Sequence, residues 1–429
     1  MVRYSCIINK FILYCISKYI LIILVIKILN FLRFFKIFKI LRFFKDFLDI
    51  FDISNNLYGF NKILMEAKIL IFSWNTQSTL IKCETEPDFW PKLQNQITKN
   101  DPDIVVIGFQ EDRKPGSYFH SHFLPNAMLK NGYYHHFRTR MMGVGKTSFE
   151  SAFKGDFFNR GLRLSVYCRI EYTLWEESNF ICSSIITRAK GGLCVYLQLP
   201  NIGTCAFICC HLPFNSRSLI DQRIFNDDII RQNALNHSNI AFNNIIQNLV
   251  INRHPMPQSV FLFGDLNYRI NSPIHGYELV QTINYLKNDP EYIDELVKCD
   301  ELRQQMDKSN IYQMDEGILN LGPRFLPTCK LYQNRRNIKN KDIANYFINA
   351  DDGTKVEVES ISHIWRTGKH DQRNPSYCDR ILYKTFGPRK DQVEINCLKY
   401  KRFDTGTLMA KSDHCAVYGV YLISRKITN

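Results

Sequence analysis

The sequence predicts an α/β fold built as a layered sandwich, and three observations carry that prediction. Strand-like runs such as DIVVIGF at Asp103–Phe109 are apolar throughout instead of alternating, so both faces of their sheet are covered. Helical patterns separate these runs, as layers of helix over sheet require. The runs also end on carboxylates, amides and imidazoles, and the ends of sheet strands are where α/β folds collect ligands.

The elements follow in order. Lys68–Trp74 reads as a strand ending on Asn75, and Asp88–Lys99 as a helix. Asp103–Phe109 runs into Gln110 and Glu111. Leu162–Ile170 and Leu193–Leu199 read as strands, and Gly203–Cys210 as a third that ends on His211. Ser218–Leu249 is mostly helix. Val260–Phe263 is a short buried strand, after which Gly264 opens a turn bearing Asp265, Asn267 and Arg269. Glu291–Met306 is predicted as one helix, and Ser376–Tyr383 and Cys415–Ile423 as the last strands. The polar, lysine-rich stretch Asn334–Asp352 reads as a flexible surface insertion. No internal repeat is visible.

The 429 residues suffice for one large α/β domain, and the net charge of +14 favours an anionic partner. Residues 1–64 differ from the rest: ten basic against three acidic side chains give them +7, half of the total. Phe11–Leu32 is 22 residues long, enough to cross a bilayer, but Lys18 and Lys27 interrupt it at about 3 kcal/mol each before snorkelling. Arg33, Lys36, Lys39, Arg42 and Lys45 recur every third residue, which sweeps their charge around a helix without a clean face. Three readings stand for this head: a signal anchor, a basic membrane-surface helix, or a segment absent from a functional protein that starts at Met65. Residues 65–425 are expected to form one further domain. The 14 cysteines have no CxxC pair, and several lie in apolar strand runs, which points to buried free thiols in a reducing, cytoplasmic setting.

The strand ends carry the chemistry. Asp265 offers a carboxylate that can hold water, and Asn267 an amide that can hold a phosphate oxygen, a pairing suited to phosphate-ester hydrolysis. Alone, the two would also serve as an Asx turn closing a strand. Glu111 alone reads as a loop acid, His211 as a core histidine and Asp413 as a cap. Together with Asn75, Asp379 and His414 they make a cluster of oxygen ligands and imidazoles poor in thiols. That set suits a hard cation such as Mg²⁺, and the histidines lack the spacing of a zinc site.

SWN at Ser73, GFQE at Gly108, AKGGL at Ala189, HLPF at His211, GDLNYR at Gly264, LPTCKL at Leu326, RNPSYCDRIL at Arg373 and SDH at Ser412 occur in this order. From Ala67 to Ile423 the chain resembles the inositol polyphosphate 5-phosphatases of the DNase I-like endonuclease/exonuclease/phosphatase superfamily. The resemblance implies a four-layered α/β sandwich, with two central mostly antiparallel sheets flanked by helices. It implies Mg²⁺ on Glu111, supported by Asn75 and Asp413. Asp265 would activate the attacking water, Asn267 would hold a scissile oxygen, and His211 and His414 would face the phosphoryl group, with Asp379 holding His414. Lys330, Lys190 and Arg373 would grip substrate phosphates, with Tyr268, Arg269 and Arg380 as further substrate contacts. Cys329, Tyr377, Ala189 and Asp371 depart from the family's usual Tyr, Trp, Asn and Lys, which bears on recognition of the 4-phosphate.

The expected partners are a phosphoinositide lipid or soluble inositol polyphosphate and an anionic membrane surface, with no nucleic acid and a monomeric chain. Two alternatives differ in class. A nuclease of the same fold fits the charge but leaves PTCK and PSYCDR unexplained. A non-catalytic phosphoinositide-binding membrane protein would not need Glu111, Asp265, Asn267, Asp413 and His414 together. The run Gly143–Thr147 imitates the end of a P-loop, but Arg140 stands where the leading glycine belongs.

Overall fold

The structure, a computed structural model, describes residues 66–77, 89–113, 119–143, 160–169, 175–182, 190–213, 228–274, 276–286, 288–329, 331, 347–349, 355–357, 374–403 and 412–426. The chain divides into the units Met1–Ile63 and Leu64–Asn429, and every described residue lies in the second. The readings of residues 1–64 therefore fall outside the described residues. Among the described residues no helix is long and apolar enough to cross a membrane.

Two six-stranded sheets form the centre. The first holds β1 (Glu66–Asn75), β2 (Ile104–Arg113), β3 (His135–Gly143), β4 (Arg160–Cys168), β13 (Val393–Phe403) and β14 (Ala416–Arg425), in the order β13-β14-β1-β2-β4-β3. The second holds β5 (Trp175–Ile181), β6 (Gly191–Leu199), β7 (Gly203–His211), β8 (Ser259–Asp265), β9 (Asp315–Glu316) and β12 (Asp379–Thr385), in the order β5-β6-β7-β8-β12-β9. Among the described residues only β1 with β2 and β7 with β8 run parallel, so the sheets are mostly antiparallel, as expected. A separate ribbon pairs β10 (Phe347–Asn349) with β11 (Lys355–Glu357), so three residues of the expected insertion are strand.

The sheets pack face to face through Ile69, Ile71, Val106, Val195, Phe207 and Phe261. Outside the first sheet lies α1 (Phe89–Asn100), whose Phe89, Leu93 and Ile97 recur at helical spacing and bury against Phe72, Trp74 and Phe109. A π-type turn (Phe119–Phe123) leads into α2 (Leu124–Lys130) on the same side. Outside the second sheet, α3 (Asp228–Ile246) presents Phe242, Ile245 and Ile246 to Ile208, Val260 and Leu262. Helices α4 (Gly276–Leu286) and α5 (Pro290–Lys298) bury a smaller cluster with Tyr377. The layers are therefore helix, sheet, sheet, helix.

Three differences from expectation have physical causes. The single helix expected at Glu291–Met306 is two, α5 and α6 (Glu301–Asp307). Asp300 leaves the helical conformation between them, and its carboxylate accepts from the Arg303 amide, a polar cap inside an otherwise continuous apolar pattern. The strand expected from Ser376 starts at Asp379, because Ser376 is engaged in a lone bridge to Cys329. Strands β3, β5 and β13 went unrecognised, and each is a sheet edge rich in charge, with HHFRTR, WEE and KYKR segments. Charged edges blunt strand-to-strand aggregation and erase the apolar signal.

Gly264 joins this frame to the site. Its φ is +138°, and a Cβ there would lie 1.9 Å from the Cys210 carbonyl oxygen across the parallel β7/β8 pair. Gly264→Ala is expected to lose at least about 2 kcal/mol of stability through strain and displacement of β7. A urea midpoint equal to that of the parent would contradict this.

Candidate active site

Parallel pairing sets two carboxyl-terminal strand ends side by side in each sheet, and contacts of Asn75 with Asp265 and of Glu111 with His211 join the two pairs at one edge of the sandwich. β1 delivers Asn75, β2 Glu111, β7 His211 and β8 Asp265. β12 begins at the same edge, where Asp379 is the register partner of Asp265. Residues 412–414 then lead into β14, and the Trp74 indole donates to the His414 carbonyl at 3.1 Å.

Asp265 is the hub. Its Oδ2 accepts from Asn75 Nδ2 at 2.8 Å and lies 3.2 Å from His211 Nε2 and 3.9 Å from His414 Nε2. Its Oδ1 accepts from the Asn267 amide at 3.1 Å, so the Asx turn exists alongside the polar cluster. Asn267 sits at φ +60°, a left-handed conformation that Asn tolerates. Its side chain donates to the Leu212 carbonyl at 2.8 Å while Arg269 donates to its Oδ1 at 2.8 Å, which fixes the amide plane. Arg269 also donates to Cys329 Sγ at 3.3 Å. Lys190 Nζ contacts His211 Nε2.

His414 is held from behind. Its Nδ1 lies 2.9 Å from Asp379 Oδ2, which also accepts from the Thr328 hydroxyl at 2.8 Å. Ser412 accepts from the His414 amide and donates to the Asn75 carbonyl at 2.6 Å, tying the two strand ends together. Thr328 and Ser412 were not singled out from the sequence, although both lie inside the LPTCKL and SDH motifs. Asp413 is buried, with Oδ1 3.7 Å from His414 Nε2 and its amide donating to Gln77 Oε1.

Charge follows from this packing. Burial would push the Asp265 carboxyl up, but His414 and His211 outweigh it and hold the group well below the usual carboxylate range. Burial, aided by the Lys190 ammonium, holds His211 below its ordinary value despite Asp265. Burial also opposes charge on His414, yet Asp379 and Asp265 raise it to about 10. At neutral pH the cluster thus holds an ionised carboxylate, a neutral imidazole and an imidazolium.

The donor set fits a hard divalent cation. Glu111 Oε1 lies 3.9 Å from His211 Nε2, and its side chain is 21% exposed against 2% for Asp265, leaving it open to an ion and its waters. Among the described residues no three His, Cys, Asp or Glu side chains form a closed cage. An ion here would depend on one or two carboxylates, water and substrate phosphate, which is how Mg²⁺ is bound. Asn75 stands beside Asp265, with Nδ2 given to it and Oδ1 accepting from the Gln77 amide.

Two residues expected at the substrate are elsewhere. Arg380 is fully buried, paired with Asp300 and Glu316, because neighbouring residues of a strand face opposite sides and Asp379 faces the site. Tyr268 is also fully buried, and its hydroxyl donates to Asn239 at 3.0 Å in the layer under α3. Lys330, Arg373 and Asp371 fall outside the described residues.

Fold and site together define a DNase I-like α/β sandwich whose strand ends gather carboxylates, an amide and two imidazoles at one edge. Residues 72–420 match the model of the Endonuclease/Exonuclease/phosphatase family 2, and the chain belongs to that family. It is similar to the type I inositol polyphosphate 5-phosphatase 1 of Arabidopsis thaliana, 25% identical over 224 residues that cover 48% of this chain and 29% of that protein. It is also similar to the phosphatidylinositol polyphosphate 5-phosphatase type IV of Rattus norvegicus, 30% identical over 165 residues covering 38% and 19%. The chain thus spans less than a third of the length of these curated relatives. Among solved structures, the inositol polyphosphate 5-phosphatase domain of SPsynaptojanin, in complex with inositol (1,4)-bisphosphate and calcium ion, superposes with a TM-score of 0.53. It is 18% identical and covers 84% of this chain and 86% of its own. A Cimex nitrophorin in its ferrous NO complex reaches 0.50 at 15% identity, covering 84% and 99%. One fold therefore hosts unrelated tasks, and function has to be argued from the site.

Proposed function

We propose that the chain is a Mg²⁺-dependent phosphoric monoester hydrolase that removes the 5-phosphate of phosphoinositides such as PI(4,5)P2 or PI(3,4,5)P3, or of inositol polyphosphates such as Ins(1,4,5)P3. One observation carries the reading: a buried, ionised Asp265 that is contacted by Asn75 and flanked by one neutral and one cationic imidazole. Its carboxylate orients the attacking water and accepts its proton. The imidazolium of His414, held by Asp379, faces the charge that builds on the phosphoryl oxygens during in-line displacement. His211 and the amide of Asn267 position those oxygens, and Lys190 adds positive charge beside them. Bound Mg²⁺, held by Glu111 with Asp413 nearby, would supply charge neutralisation. The work is positioning and electrostatics, which is what phosphoryl transfer asks of a protein. The basic head, residues 1–64, would address the protein to an anionic cytoplasmic membrane face.

Inorganic phosphate release from PI(4,5)P2 vesicles and from Ins(1,4,5)P3 tests this. Chelation by EDTA is expected to lower release by about 10²-fold or more, and added Mg²⁺ to restore it. Cleavage of DNA or RNA without phosphate release from either inositol substrate would move the chain to the nuclease branch.

A further inference from the structure

Behind Glu111 lies a buried polar triad that the hydrolytic machinery does not use. β2 and β4 are in register at Phe109 with Arg163 and again at Asp112 with Gly161, so β2 carries one extra residue between them. Glu111, inside this bulge, has φ +51°, a left-handed conformation that costs a non-glycine residue about 1 kcal/mol or more. On a regular strand Glu111 would share the face of Phe109, which packs in the helical layer under α1. The bulge turns it instead toward His211.

The residue after the bulge is pinned from two elements. Asp112 Oδ2 accepts from Arg163 Nε of β4 at 2.7 Å, and Asp112 Oδ1 lies 3.3 Å from His120 Nε2 of the π-type turn. All three side chains are at most 3% exposed. The His120 ring packs against Phe109 and Phe119 with centroids 5.0 Å away in each case. On the near side of the bulge, Thr76 donates from its amide to the Gln110 carbonyl at 2.9 Å and from its hydroxyl to the Glu111 carbonyl at 3.2 Å.

We infer that Asp112, Arg163 and His120 are positioning residues that hold the bulge and thereby aim the Glu111 carboxylate at the metal. The inference rests on the reading of Glu111 as a metal ligand. Groups that orient a ligand without touching the metal commonly set about 10–100-fold in metal affinity.

The test is Mn²⁺ binding to the full chain without substrate, read as free Mn²⁺ by electron paramagnetic resonance. Asp112→Asn, which keeps the size of the side chain and loses its charge, is expected to weaken Mn²⁺ binding about 10-fold. Glu111→Gln is expected to weaken it further. Wild-type affinity in Asp112→Asn beside weak binding in Glu111→Gln overturns the inference and leaves the triad a stability device. Wild-type affinity in Glu111→Gln overturns the metal reading itself. If Asp112→Asn fails to fold, His120→Gln, which retains the Asp112–Arg163 pair, takes its place; it is expected to weaken Mn²⁺ in the same direction, and unchanged affinity there also overturns the inference.

Discussion

Asp265→Asn is expected to reduce phosphate release by about 10²–10⁴-fold while leaving the fold intact. The substitution preserves shape and one acceptor oxygen, enough to keep the Asn267 amide bond that closes the turn while the Asn75 bond is lost, so the β8 terminus has little reason to move. It removes a negative charge that both His211 and His414 approach, at 3.2 and 3.9 Å. A neutral amide neither accepts the proton of the attacking water nor balances the His414 imidazolium. The effect should appear in kcat more than in KM, because the lost interaction is with water and developing charge rather than with the inositol ring. Release within about tenfold of the parent, with an unchanged melting curve, would assign Asp265 a structural role.

The contrast between this site and its surroundings shows what the sequence can carry. Central strands were legible because burial on both faces forces continuous apolar runs, as in β8, where all seven residues are buried. The edge strands β3, β5 and β13 lack that pressure and were missed. Strand-end polar residues were legible as a set because a folded core tolerates a buried carboxylate or imidazole only when partners exist, and Asp265, His211, Asp379 and His414 are one another's partners. Motif membership misled at Arg380 and Tyr268, each adjacent to a site residue. Strand alternation alone places Arg380 on the face opposite Asp379, away from the site. The backbone turn at Asn267 that sends Tyr268 into the core has no comparable signature, since it depends on a left-handed φ.

Arg380→Met is expected to destabilise the fold by about 3–5 kcal/mol, a larger loss than any surface change would cause. The guanidinium donates from Nε to Glu316 and from Nη1 to Asp300, both at 2.7 Å, and Glu316 also accepts from the Tyr400 hydroxyl at 2.9 Å. Removing it leaves two carboxylates in a dry interior with their cation gone. Burial already pushes the Asp300 carboxyl above its ordinary 3.8, and Arg380 opposes that push. Without Arg380 the folded-state value rises further, so the folded variant binds more protons than the unfolded chain and its stability falls as pH rises above about 4. The deficit relative to the parent should therefore be smaller at acid pH than at pH 8. Asp300→Asn in the same chain should recover part of the loss, because it removes one stranded charge and keeps a side chain able to cap α6. Urea unfolding of the parent, the single and the double variant reads all three effects. A single variant as stable as the parent, but with a raised KM for Ins(1,4,5)P3, would return Arg380 to the substrate.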